Sequence, residues 1–177
     1  MDGLTHARLI HERDPRALDQ LVEEHHSALF RFLSQLTRNQ HDAEDLTQQT
    51  LVRAIVGANR FDGRASLRAW LLGIAFHEFT RHRRRRIWLP ILSDIAVKAT
   101  DIDSVDDSEA IRVALAKLKP ESRAIFLMHH VEEISVSEIA KALGIAEGTV
   151  KSRLHTARAQ LRSYLDSGEH TYVPETC

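Results

Sequence analysis

The side chains best equipped for chemistry in this sequence are basic, and they fall in two clusters. Arg81 and Arg83 to Arg86 end a stretch that also carries Trp70, Phe76 and Phe79. Guanidinium groups contact phosphates and aromatic rings stack on unpaired bases, so this combination suits the holding of an opened nucleic-acid strand. An Arg run alone is more often a solvated electrostatic face, and the second cluster changes that weighting. Lys151, His155, Arg158 and Arg162 recur at helical spacing beside an apolar stripe of Val150, Leu154, Ala157, Leu161 and Leu165. One side of such a helix packs while the adjacent side is basic, as entry into a DNA major groove requires. The plain alternative for this second cluster is an ordinary helical hairpin with a solvated basic face.

Other chemistries find little support. No grouping of nucleophile, base and orienting residue occurs, and no phosphate-binding loop, so the chain reads as a non-enzyme. Eleven His raise the question of a metal, but His25-His26 and His129-His130 are adjacent pairs whose side chains are expected to diverge on a helix. Neither a metal nor any other cofactor is expected. The single Cys, Cys177, excludes an internal disulfide framework and a Cys-rich metal site.

The elements that must position these groups are helical. Leu18, Leu21, Val22, Leu29, Phe32, Leu33 and Leu36 predict an amphipathic helix over about 16–38. A second, about 42–56, buries Ala43, Leu46, Thr50, Ala54 and Ile55, leaving Glu44, Asp45, Gln48, Gln49 and Arg53 outside. After the Asp62-Gly63 turn, Leu67, Leu71, Ile74, Ala75 and Phe79 predict a third helix running into the Arg cluster. Helical spacing resumes near Glu109, and Pro120 suits the first turn of a following helix. Ser135-Val136-Ser137-Glu138 is a capping box opening a short helix that stops at Gly144, and a last helix spans about 147–165. Ala140, Gly144 and Val150 supply the small residue, the turn and the apolar anchor that a helix-turn-helix requires.

The expected fold is therefore all-α. Two small helical domains, 10–90 and 109–166, are joined by a flexible acidic linker, 91–108, and followed by a flexible tail, 167–177. The sequence of 177 residues has a net charge of only -1, but the charge is segregated. From Arg60 to Arg86 eight Arg stand against Asp62 and Glu78, a net +6. From Ile87 to Glu109 six acids stand against Lys98, a net -5, and from Lys141 to Leu165 five bases against Glu147, a net +4. No apolar run approaches the roughly eighteen residues of a membrane span and no secretory leader is evident, so a cytoplasmic protein without membrane insertion is expected.

Three long segments, in this order and separation, carry a resemblance: DAEDLTQQTLVRA (42–54), RFDGRASLRAWLLGIA (60–75) and SEIAKALGIAEGTVKSRLHTARAQLR (137–162). From about Leu18 to Leu165 the chain resembles the extracytoplasmic-function class of bacterial RNA polymerase sigma factors. The resemblance implies that the helix from Asp42 to Arg53 docks on a coiled coil of the largest polymerase subunit, through Asp42, Glu44, Asp45, Gln48, Gln49 and Arg53. It implies that the loop Asn59–Ser66 and the following helix capture the non-template strand of the minus-ten element. The matching positions are Asn59, Arg60, Phe61, Arg64, Ser66, Arg68, Trp70, His77, Arg81, Arg84 and Arg85. It further implies that Thr149, Lys151, Ser152, Arg153, His155, Thr156 and Arg158 read the minus-thirty-five duplex.

Two departures fall on these DNA-reading surfaces. Phe76-His77, followed by Glu78, stands where the family commonly has Arg-Asn, and Thr156 stands where a basic residue is common. Promoter sequence is therefore not implied. The partners implied are core RNA polymerase, promoter DNA and an anti-sigma factor covering the polymerase-binding surfaces. A helix-turn-helix activator or repressor would leave the 42–53 face unexplained. A sigma-like decoy that only binds an anti-sigma factor would have no use for both basic faces.

Overall fold

A computed structural model describes residues 2–88 and 107–166, and every regular element among them is helical. The helices are α1 (Gly3–His11), α2 (Pro15–Thr37), α3 (Gln40–Gly57), a 3-10 turn (Ala58–Arg60), α4 (Leu67–Trp88), α5 (Asp107–Lys117), α6 (Pro120–His130), α7 (Val136–Leu143) and α8 (Glu147–Asp166). The expected linker and tail lie outside the described residues, apart from the first turn of α5.

Local chemistry sets the helix ends. Asp14 and Asn39 precede α2 and α3 and accept from the amides of Ala17 (3.0 Å) and Asp42 (2.9 Å), satisfying donors that a first turn leaves open. Pro15 and Pro120 occupy first-turn positions, where a missing N–H costs nothing. Both halves of the capping box form at α7: the Glu138 amide donates to Ser135 Oγ (3.2 Å), and the Ser135 amide donates to Glu138 Oε2 (3.3 Å). Gly144 then ends α7 at φ 66°, a left-handed conformation that costs glycine little.

One helix was not expected. Asp2 caps α1 by accepting from the Thr5 amide (2.7 Å), and α1 buries Ala7 and Ile10. It rests on the 3-10 turn and on the loop after it, where a Cβ added at Gly3 would lie 3.4 Å from the Phe61 ring. Val22, expected in the α2 core stripe, is instead 42% exposed, because the stripe turns from Leu21 toward His25 and Leu29.

The larger difference is between the two halves. Expected as separate folding units, α1–α4 and α5–α8 pack on each other: α2 meets α6, and α4 meets α6 and α7. Leu21, Leu29, Phe32, Leu46, Leu71 and Leu72 belong to one continuous apolar core with Ile125, Met128, Ile139 and Val150. Gly73 marks the closest approach, since a Cβ there would lie 2.6 Å from the Ala142 carbonyl oxygen. Arg123 pins the seam from inside. It donates to the carbonyls of Leu115 (2.8 Å), Ala116 (2.6 Å) and Leu118 (3.1 Å) in its own half, and of Gln35 (3.2 Å) and Leu36 (3.4 Å) across the seam. These carbonyls cluster at the ends of α5 and α2, where helix dipoles favour a cation. Burial lowers the pKa of Arg123, as does Arg38.

Candidate nucleic-acid interface

The outer face of α3 is built by its own periodicity. Ala43, Leu46, Thr47, Thr50, Leu51 and Ala54 turn inward, so Glu44, Asp45, Gln48, Gln49 and Arg53 are exposed together. The buried hydroxyls of Thr47 and Thr50 donate back to the Ala43 and Leu46 carbonyls, 2.7 Å each. Asp42 stands apart from this face. It is half-buried and accepts from Arg86 Nη1 (2.8 Å), with His82 Nε2 at 3.5 Å. Arg53 lies 3.4 Å from Glu78, whose carboxylate is buried and also accepts from Arg81 (2.9 Å). One carboxylate thus ties the polymerase-facing candidate Arg53 to the strand-facing candidate Arg81.

The loop leading into α4 turns at Gly63, φ 70°, where a Cβ would meet Leu4 of α1 at 2.8 Å. Arg64 is held there by Asp62, whose Oδ2 lies 3.2 Å from its Nε. Asn59, Arg60, Arg64 and Ser66 are exposed, whereas Phe61 is buried against half-buried Trp70, ring centroids 5.5 Å apart. Phe61 therefore shapes the loop from beneath. His77, Arg81, Arg84 and Arg85 are exposed along α4.

On α8, Val150, Leu154, Ala157 and Leu161 are buried while Lys151, Ser152, His155, Thr156, Arg158 and Arg162 are exposed. Thr149 and Arg153 are half-buried. The Thr156 hydroxyl donates to the Ser152 carbonyl (3.0 Å), so its own proton is taken up within the helix. Arg158 Nε donates to His130 Nε2 (3.2 Å), which requires an unprotonated imidazole. Burial, His129 and Arg158 each lower the pKa of His130, in keeping with that requirement.

The rings of His129 and His130, expected to diverge, instead meet edge-on at 4.8 Å. They still take separate partners, because His129 Nδ1 donates to the Ile134 carbonyl (3.0 Å) and His130 meets the Phe126 ring at a tilt, centroids 4.5 Å apart. Among the described residues, no three His, Cys, Asp or Glu gather as metal ligands, and no helix is long and apolar enough to cross a membrane.

The second half reaches directly onto the loop before α4. Glu132, with its side chain 2% exposed, accepts from Arg68 through Nε (3.0 Å) and Nη2, and Arg31 Nη2 lies 3.5 Å from its other oxygen. Glu138 Oε1 accepts from the Ser66 amide (3.0 Å), and Lys141 Nζ donates to the Arg64 carbonyl (2.9 Å). Hydrogen bonds from Ser135 and Ser66 hold the Glu138 pKa down at about 2. Glu78, Arg31, Glu132 and the cross-seam contact of Glu138 were missed by the sequence reading. Only Glu138 carried a signal, and that signal was for its cap.

Comparison with known proteins follows the same division of the chain. The family model described as Sigma-70 region 2 matches residues 21–89, and that described as Sigma-70, region 4 matches residues 108–161. The ECF RNA polymerase sigma factor SigM of Mycobacterium tuberculosis is 34% identical over 160 residues, covering 88% of this chain and 82% of SigM. The ECF RNA polymerase sigma factor SigE of Mycolicibacterium smegmatis is 36% identical over 157 residues, but the match spans 83% of this chain and only 61% of SigE. Among solved structures, CnrH in complex with the cytosolic domain of CnrY superposes with a TM-score of 0.71 at 25% identity, covering 94% of this chain and 98% of that one. The sigma factor RpoE in complex with the anti-sigma factor NepR, from Bartonella quintana, gives a TM-score of 0.67 at 28% identity, covering 85% and 97%.

Proposed function

The chain belongs to the sigma-70 family, in its extracytoplasmic-function class, and from that premise we propose that it directs core RNA polymerase to a promoter in the cytoplasm. The observation that carries this reading is the coexistence of three unlike surfaces on one chain. The α3 face is acidic and amide-rich, and suits a basic partner on the polymerase. The α8 face is a helix edged with Lys151, His155 and Arg158, and suits the major groove of the minus-thirty-five duplex. The loop 59–66 with Arg68, His77, Arg81, Arg84 and Arg85 suits an unpaired minus-ten strand, whose bases stack and whose phosphates take guanidinium groups. Catalysis belongs to the polymerase. The similarity to RpoE, solved in complex with the anti-sigma factor NepR, supports an anti-sigma factor as a further partner, engaging this chain over the same surfaces.

Run-off transcription with purified core polymerase and a promoter library tests the whole reading, with promoter-specific initiation as the expected result. Asp45→Lys tests the docking face separately. Asp45 is exposed, so the fold should survive, while core binding measured at fixed salt should weaken at least severalfold. Unchanged affinity would remove α3 as the docking face.

A further inference from the structure

The arginine run at the end of α4 falls on two sides of the helix, and strand binding accounts for only one of them. Arg81, Arg84 and Arg85 are exposed on the strand-facing side. Phe79, His82, Arg83 and Arg86 recur at i, i+3, i+4 and i+7, so they share a different stripe. That stripe lines a cavity of about 360 Å³, with Asp42 of α3 and Pro120 and Arg123 of α6 in its other walls. Such a volume lies near the lower end of those that hold small ligands. Arg86 is exposed, so the cavity is reachable from solvent.

Three features give this cavity the character of an anion site. In its lining, three guanidinium groups stand against the single carboxylate of Asp42. Two of its nitrogens, Arg83 Nε and His82 Nε2, are buried without a hydrogen-bond partner among the described residues. Buried polar atoms are seldom left unpaired, and an oxyanion supplies acceptors to both. The third feature is the start of α6 at Pro120, where no side chain caps the helix at Lys119. Its first-turn amides therefore keep the positive end of the helix dipole open.

We propose that this cavity binds an oxyanion of the phosphate class, up to the size of a diphosphate, held by Arg83 and Arg86 and completed by His82 and the amino end of α6. The site goes beyond the sigma-factor reading and does not depend on it. Arg86 gives Nη1 to Asp42 (2.8 Å) and Arg83 gives Nη2 to Glu121 (3.3 Å), so each pair engages one nitrogen of a guanidinium that carries five donors. The remaining donors suit the fork of oxygens on a phosphate. Arg123 acts differently, because its donors are spent on five carbonyls and it contributes charge alone.

The experiment titrates the full chain with sodium pyrophosphate by calorimetry, in chloride buffer at constant ionic strength and without divalent metal. Saturable one-to-one binding is expected, together with a Tm that rises with pyrophosphate concentration, because a ligand of the folded chain stabilises it by mass action. Arg83→Gln and Arg86→Gln should each weaken binding about tenfold, the loss expected for one hydrogen bond between charged groups. His82→Gln should weaken it less. Should Arg83→Gln fail to fold, Arg86→Gln still decides, since Arg86 is exposed. Arg84→Gln removes the same charge from the other side of the same helix and should leave pyrophosphate affinity unchanged. ADP that binds as tightly as pyrophosphate assigns the site to the diphosphate group of a nucleotide, whereas pyrophosphate binding alone assigns it to the free anion. The site is overturned if no saturable binding occurs, if Arg86→Gln leaves affinity unmoved, or if Arg84→Gln weakens binding equally, which would mark a diffuse basic face. With neither polymerase nor DNA in the cell, any of these failures leaves the sigma-factor reading standing.

Discussion

Gly63 shows how much one position can carry. Its φ of 70° is a conformation that an L side chain holds at a cost, and its open Cα is what allows Leu4 of α1 to rest over the loop. Gly63→Ala is expected to destabilise the chain by about 1–2 kcal/mol through backbone strain. In a protein of this size that should appear as a fall in Tm of about 2–4 °C per kcal/mol. Leu4 is 54% exposed and can move aside, so pairing Gly63→Ala with Leu4→Ala should recover little of the loss. Full recovery in a thermal melt would place the cost in side-chain crowding and not in φ. The turn at Asp62-Gly63 was legible because glycine punctuates a chain locally. Glu132 and its partner Arg68 were not legible, because nothing in the residues around either one points to a side chain sixty-four positions away.

At the level of single elements, the helices that were read with the right ends are those with chemical end signals. Ser135 as a cap, Pro120 at a first turn and Gly144 at a stop mark α6 and α7 in the sequence itself, whereas α3, expected from about 42, starts at Gln40 behind the Asn39 cap. The nine-residue α1 has a cap too, but its apolar residues are few and it lies outside the stretch matched by the region 2 family model. Ser135→Ala removes one arm of the capping box and should cost about 1 kcal/mol, read as a lower Tm with the α8 surface unchanged in sequence. If stability is unaffected, the cap contributes nothing in solution. The two basic elements make a sharper prediction, because they should prefer different forms of DNA. Lys151→Ala with Arg158→Ala should weaken upstream duplex contacts, each lost base contact costing about 1–3 kcal/mol. Initiation on a template already opened across the minus-ten region should still require Arg81 and Arg84. Comparing the two double variants with core polymerase on closed and pre-melted promoters, at one salt concentration, checks this. The assignment is reversed if the α8 variant fails only on pre-melted DNA while the α4 variant fails only on the upstream duplex.

For the whole molecule, what escaped the sequence is the contact between halves. Each half announces its own apolar stripes, but a seam of carbonyl, amide and carboxylate contacts has no period, and the acidic stretch between the halves reads equally well with the halves joined or apart. The seam does carry a pH signature with a definite sign. Glu138 has its pKa lowered from 4.5 to about 2, first by the Ser135 hydrogen bond and then by the Ser66 amide of the other half. A carboxylate with a lowered folded pKa adds stability that is complete above its unfolded value and is lost as pH falls. Its contribution should therefore be full above about pH 4.5 and decline from there toward pH 2. His25 and His130 act in an earlier window. Desolvation is the first cause lowering both, of half-buried His25 and of the more exposed His130, and a His whose folded pKa is lowered takes up its proton less readily than in the unfolded chain, so stability begins to fall as pH drops below 6.5. Arg68 also lowers the pKa of His25, which places that titration beside the seam. Melting temperature and radius of gyration, followed together from pH 7 down to pH 3, should show a first decline below 6.5 and a second, with expansion, below 4.5. Glu138→Gln should lower Tm at pH 7, because the cap is weakened, but should flatten the second decline because the titrating group is gone. Parallel profiles for the variant and the parent below pH 4.5 would show that other carboxylates open the molecule in acid and that Glu138 does not link its protonation to the seam.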